Sequence, residues 1–118
     1  MSRRLSCSMT IDAVRDRSKT VTRRHVDTWK NLQPGDRLTL IEKGMGLPKG
    51  TKQVVLAEVE VVDVAVESLH DIRDEWDGTK REGLGHMTAD EFIAFWLAGH
   101  NTDPNFPMCR RIEWRYLP

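Results

Sequence analysis

Gln53-Val54-Val55-Leu56-Ala57-Glu58-Val59-Glu60-Val61-Val62-Asp63-Val64-Ala65-Val66 is the stretch whose reading decides the fold. Its density of β-branched residues favours an extended chain. Up to Val61 the residues alternate, with Ala57, Val59 and Val61 on one face and Glu58 and Glu60 on the other. Beyond Val61-Val62 the phase reverses, and Val62, Val64 and Val66 stand opposite Asp63, Ala65 and Glu67. One extra residue in a strand has that effect, so a β-bulge or sharp bend is expected near Val61. Such a bend lets a sheet curl toward a barrel.

The flanks agree with a mostly β chain. Leu5-Ser6-Cys7 reads as a short first strand, and Thr10 as the cap of a helix of about two turns through Ile11, Ala13 and Val14. Thr20-Val21-Thr22 favours extension of the segment Lys19–Arg24, and Trp29 and Leu32 suit a short turn packed on the barrel. Arg37–Glu42 reads as a strand with Leu38 and Leu40 on one face, and Met45-Gly46-Leu47-Pro48-Lys49-Gly50 as a loop. Residues 68–86 are charged and glycine-bearing, with a short helix near Leu69–Trp76. Thr88-Ala89-Asp90-Glu91 is a capping-box signature ahead of a helical face of Ala89, Phe92, Ile93 and Trp96, with Gly99 as its stop. Ile112, Trp114 and Tyr116 then alternate with Arg111, Glu113 and Arg115, a half-buried final strand. The expected class is α+β, a small β-barrel with a few flanking helices.

At 118 residues the chain is expected to be one domain over 1–118. A chain of this size buries roughly two-thirds of its unfolded surface, enough for a core without staples. Hydrophobic content of 39% and charged content of 31% suit an ordinary soluble globular protein rather than a disordered one. Net charge is zero, but residues 1–37 carry nine Lys/Arg against four Asp, about +5. The remainder carries nine basic and fourteen acidic residues, about −5. That split points either to an anionic ligand near the first third or to mutual attraction across the fold. Cys7 and Cys109, without a signal peptide, predict buried reduced thiols and a cytoplasmic setting, although spacing alone leaves a disulfide open. No zinc-ligand spacing joins Cys7, Cys109, His25, His70, His86 and His100, and no apolar run is long enough for a membrane span.

The chemistry concentrates in Ser18-Lys19-Thr20-Val21-Thr22-Arg23-Arg24, which packs a lysine, hydroxyls and two guanidinium groups into one short segment. Such donors suit a phosphate, a nucleobase edge or a developing oxyanion. The plainer alternative is a solvated strand face, since lysine and arginine are usually surface residues. Trp29 and Trp76 are indoles that stack on a base or pack on a core, Asp36 is a turn residue, and His86 lies near a helix N-terminus.

Lys19-Thr20-Val21-Thr22-Arg23-Arg24, Pro34-Gly35-Asp36, the valine strand, Glu82-Gly83 and the Thr88–Trp96 helix follow one another in an order that resembles the ASCH domain, a PUA-like family. The resemblance implies a small β-barrel with a cleft for a base or a nucleotide. It also implies an activity, because some small ASCH proteins are amidohydrolases of N4-acetylcytidine that use a lysine, a threonine and a glutamate. Carried onto this chain, those residues are Lys19, Thr22 and Glu82, although the loop from Glu82 to Thr88 is longer than in those enzymes. Thr22 would attack the acyl carbonyl and needs a base. Lys19 would serve if burial or neighbouring cations such as Arg17, Arg23 and Arg24 lowered its pKa. Glu82 would hold or protonate the departing nitrogen. In a regular strand positions 19 and 22 face opposite sides, so Lys19 must sit on the turn entering the strand.

The first expectation is therefore a basic cleft that recognises a nucleoside or RNA, with Arg17, Thr20, Arg23 and Arg24 as binding residues. The alternative is catalysis by Lys19, Thr22 and Glu82 on a modified, cytidine-like nucleoside. A third reading is a protein-interaction module that keeps the fold without a ligand. No cofactor, metal or membrane is expected in any of them.

Overall fold

The elements follow the order β1 (Arg3–Ser6), α1 (Ile11–Arg15), β2 (Val21–His25), β3 (Arg37–Ile41), β4 (Val55–Ser68), a 3₁₀-helix (Leu69–Asp74), α2 (Gly78–Arg81), α3 (Ala89–Gly99) and β5 (Met108–Tyr116). These come from a computed structural model of the chain that describes residues 3–44 and 46–118. Met45, at the start of the expected loop, lies outside the described residues. The five strands form one sheet in the order β1-β3-β4-β5-β2. β1 runs parallel to β3 and the other neighbours are antiparallel.

β4 is the backbone of that sheet. It pairs with β3 through Val55–Glu60 and with β5 through Val59–Ser68. Val61 faces Trp114 and Asp63 faces Glu113, so Val62 is the extra residue of a bulge at the position where the hydrophobic phase reverses. The bend curls the sheet into a half-barrel. Burial after the bend departs from the pattern: Val64 packs on the core, whereas Val62 and Val66 are exposed. The inner cluster, built on Leu5, Leu38, Leu40, Val59, Val61, Ile112 and Trp114, reaches Val64 and ends there.

β1 and β2 are the two sheet edges and do not pair with each other. The curl is closed by a side chain instead, because Arg24 on β2 donates from Nη2 to the Ser6 carbonyl of β1 at 2.6 Å. A second apolar cluster, Leu69, Ile72, Leu84, Phe92, Ile93, Trp96 and Cys109, holds α3 and the 3₁₀-helix on the other side of β5. Both cysteines are buried free thiols.

The capping box forms as expected: Glu91 N–H donates to Thr88 Oγ1 at 3.1 Å, and Thr88 N–H donates to Glu91 Oε1 at 2.9 Å. Gly99 is the last residue of α3. Thr10 differs, because its side chain makes no capping hydrogen bond and α1 is only five residues long. Thr10 is instead buried where the chain turns past Gly83, at which an added Cβ would lie 3.0 Å from it. Among the described residues no helix is long and apolar enough to cross a membrane, and no cluster of His, Cys, Asp and Glu could hold a metal ion.

Candidate functional site

Lys19 is held by its backbone before its side chain does anything. Its N–H donates to the Ala13 carbonyl at 3.0 Å, and its carbonyl accepts Trp114 Nε1 at 3.1 Å and the Tyr116 hydroxyl at 2.5 Å. β2 begins at Val21, so Lys19 lies on the connection entering the strand, behind the left-handed turn at Arg17 with φ 66°. That placement frees Lys19 from strand alternation, and its side chain and that of Thr22 reach the same cavity.

The Lys19 side chain is 5% exposed. Its Nζ donates to the Glu82 carbonyl at 2.5 Å, lies 3.9 Å from Glu82 Oε1 and 5.9 Å from the centre of the Trp114 ring. Burial pulls the ammonium below its ordinary value; Glu82 opposes that shift, while Arg24 and Arg23 add to it. Glu82 itself follows α2 and precedes Gly83, whose φ of 86° favours glycine. The carboxylate is divided between two cations, with Oε1 toward Lys19 and Oε2 accepting Arg23 Nη1 at 2.8 Å.

Thr22 Oγ1 accepts from Arg24 Nε at 3.3 Å, which leaves the hydroxyl hydrogen available as a donor. Lys19, Thr22, Arg23, Arg24 and Glu82 line a half-open cavity of about 240 Å³ at the seam between β1 and β2. Cys7 and Thr10 line it from the β1–α1 connection, and Leu84, Phe92, Phe95, Trp96 and His100 from the opposite side. Burial pushes the Cys7 thiol up, so it is a poor nucleophile at neutral pH. His100 stacks on Trp96 with centroids 3.8 Å apart, and its Nδ1 lies 2.8 Å from the Trp96 carbonyl. That carbonyl can only accept, so Nδ1 carries the hydrogen of this contact.

Not every expected binding residue joins the cavity. Arg17 is exposed and lies over the Tyr116 ring at 5.6 Å. Thr20 Oγ1 accepts Arg81 Nε at 3.3 Å, and Thr20 does not line the cavity. Arg23 lines the cavity, but its guanidinium is wholly buried among Glu67, Glu75 and Glu82. Trp29 packs on the inner cluster, Trp76 is 85% exposed, and His86 lines a neighbouring basin instead. The sequence reading missed Cys7, Phe95 and His100 as cavity residues. It took Phe92 and Trp96 as core alone, since helical spacing cannot reveal which end of an apolar face borders a void.

No protein-family model matches the chain, and no curated protein matches it. The fold is similar to that in the crystal structure of hypothetical protein PH0355, with a TM-score of 0.69 and 16% sequence identity over 99% of this chain and 100% of that one. At that identity the likeness shows a shared fold alone.

Proposed function

We propose that the chain is a PUA-like, ASCH-type domain whose cavity recognises a single nucleoside and deacylates an N4-acylated cytidine. The observation that carries the reading is the convergence of Lys19, Thr22 and Glu82 on one cavity. Residues of these types at these positions are what the ASCH resemblance implies. A lysine whose pKa is lowered by burial is suited to act as a base, which a solvated strand lysine is not. A volume of about 240 Å³ suits one base and its acyl group better than a nucleic-acid strand. Arg23 and Arg24, the cations that a phosphate backbone would need, are already engaged by carboxylates and by the Ser6 carbonyl.

In this reading the Thr22 hydroxyl adds to the acyl carbonyl while Lys19 Nζ takes its proton. The carbon–nitrogen bond then breaks as the Lys19 ammonium returns that proton, through the Glu82 carboxylate, to the departing exocyclic nitrogen, which leaves Lys19 neutral again. Cytidine departs and an acyl ester remains on Thr22. Water, deprotonated by Lys19, cleaves the ester to a carboxylic acid and restores the hydroxyl. No cofactor is needed.

The test is mass spectrometry of N4-acetylcytidine incubated with wild type, Lys19→Ala and Thr22→Ala. Wild type should yield cytidine, each variant should yield none, and the double variant should be no worse than either. Turnover retained in Lys19→Ala would refute the mechanism. Absence of turnover by wild type over several acylated cytidines, with nucleoside binding by calorimetry, would leave recognition without catalysis.

A further inference from the structure

Glu75 lies outside the cavity, on the link between the 3₁₀-helix and α2, yet three arginines converge on it. Oε1 accepts Arg111 Nη2 at 2.7 Å and Arg81 Nη1 at 3.2 Å. Oε2 accepts Arg111 Nε at 3.2 Å and a short hydrogen bond from Arg23 Nη2. Arg23 is the member that reaches the cavity, through its Nη1 on Glu82 Oε2 at 2.8 Å.

The Arg23 side chain has no solvent exposure, and its Nε has no hydrogen-bond partner. Its guanidinium is therefore aimed only from the Nη ends, by Glu75 on one side and Glu82 on the other, with Glu67 at 3.7 Å as a weaker neighbour. A buried ion network of this kind is weak evidence for stability, because desolvation offsets most of the Coulomb gain. What it does supply is fixed geometry.

We infer that Glu75 is a positioning residue that acts through Arg23 to hold one oxygen of Glu82 toward Lys19. Arg23 is accordingly a support for Glu82 rather than a contact for substrate. Without the Glu75 charge the Arg23 guanidinium turns, and Glu82 loses the partner that fixes its Oε2. The inference rests on the reading of Glu82 as a working residue of the cavity.

The experiment has a kinetic arm and an arm that needs no activity. In Glu75→Gln, kcat for N4-acetylcytidine should fall by about 10–100-fold with KM little changed. Glu75→Asp, which keeps the charge, should recover part of that loss. A folded Glu75→Gln with kcat unchanged, or with a loss confined to KM, would overturn the inference. Should Glu75→Gln fail to fold, wild type still decides it. By NMR the Arg23 guanidinium protons should be separate, slowly exchanging signals with contacts to both the Glu75 and Glu82 side chains, and one averaged signal would overturn it. A wild type without turnover would overturn the hydrolase reading, and with it the catalytic consequence drawn here. The NMR arm would then decide whether Glu75 holds Arg23 on Glu82.

Discussion

A lysine that is 5% exposed, with its backbone fixed by Ala13, Trp114 and Tyr116, is an unusual object in a protein this size. Its titration bears on stability as well as on chemistry. Burial sets the folded-state pKa of Lys19 below the 10.5 of the unfolded chain. Between those two values the unfolded chain binds a proton that the folded one does not, so this residue's contribution to stability rises with pH through that window. The thiols act in the opposite sense. Burial raises both Cys7 and Cys109, the latter to about 12, so folding loses stability once the unfolded thiols ionise near 9.0. Urea denaturation of wild type should therefore show a climb with pH below 10.5 from Lys19, set against a fall above about pH 9 from the thiols. Lys19→Met should flatten the climb and leave the fall. An unchanged climb would mean that Lys19 is solvated. The same burial predicts that iodoacetamide at mildly alkaline pH labels neither cysteine of the folded chain, while urea-unfolded chain is labelled at both.

Among the elements, β4 and α3 carry the most information. Phe92 and Trp114 are each about 2% exposed, one under α3 and one inside the curl. Phe92→Ala and Trp114→Ala should each cost roughly 3–5 kcal/mol in denaturant titrations. Val66 lies beyond the end of the inner cluster and is 49% exposed, so Val66→Ala should stay within about 0.5 kcal/mol. Equal losses at Val66 and Trp114 would mean that the second half of β4 is covered. At the helix start, Thr88→Ala removes the acceptor for the Glu91 amide and should cost about 1 kcal/mol. These elements were readable because their signals are local. The bulge is written in the valine phase, the capping box in four consecutive residues, and the final strand in its alternation. α2 was not readable, since Gly78–Arg81 has no apolar periodicity and Gly78 is packed against Ile72 and Glu75 of the preceding segment.

For the molecule as a whole, part of the charge split between the first third and the remainder is met by ion pairs within the fold. Arg15 pairs with Glu42, Lys19 with Glu82, and Arg23 with Glu67, Glu75 and Glu82. Mutual attraction across the fold is thus the reading the contacts favour, and the cavity keeps few uncommitted cations for a phosphate chain. Nucleoside binding should accordingly be nearly independent of salt. An oligonucleotide that engaged about three phosphates would instead show a log–log slope near −2. Calorimetry with a nucleoside and a short single strand across a range of salt separates the two, and a steep slope for the strand would restore the backbone-binding alternative.

Taken by itself, the amino-acid sequence determined the mixed α+β class, the bend in β4, the cap of α3 and the segment holding Lys19 and Thr22. Each depends on residues within one or two turns or along one strand, where spacing maps directly onto geometry. Three things were decided only by the tertiary structure. The sheet stays open between β1 and β2, because an arginine rather than a hydrogen-bond ladder spans the seam. The Arg23 guanidinium is committed to carboxylates 52 and 59 residues away in sequence. Glu82 reaches Lys19 across 63 residues, placed there by the turn at Gly83. Contacts over such separations arise from how the elements pack, and no local pattern in the chain encodes which carboxylate will meet which cation.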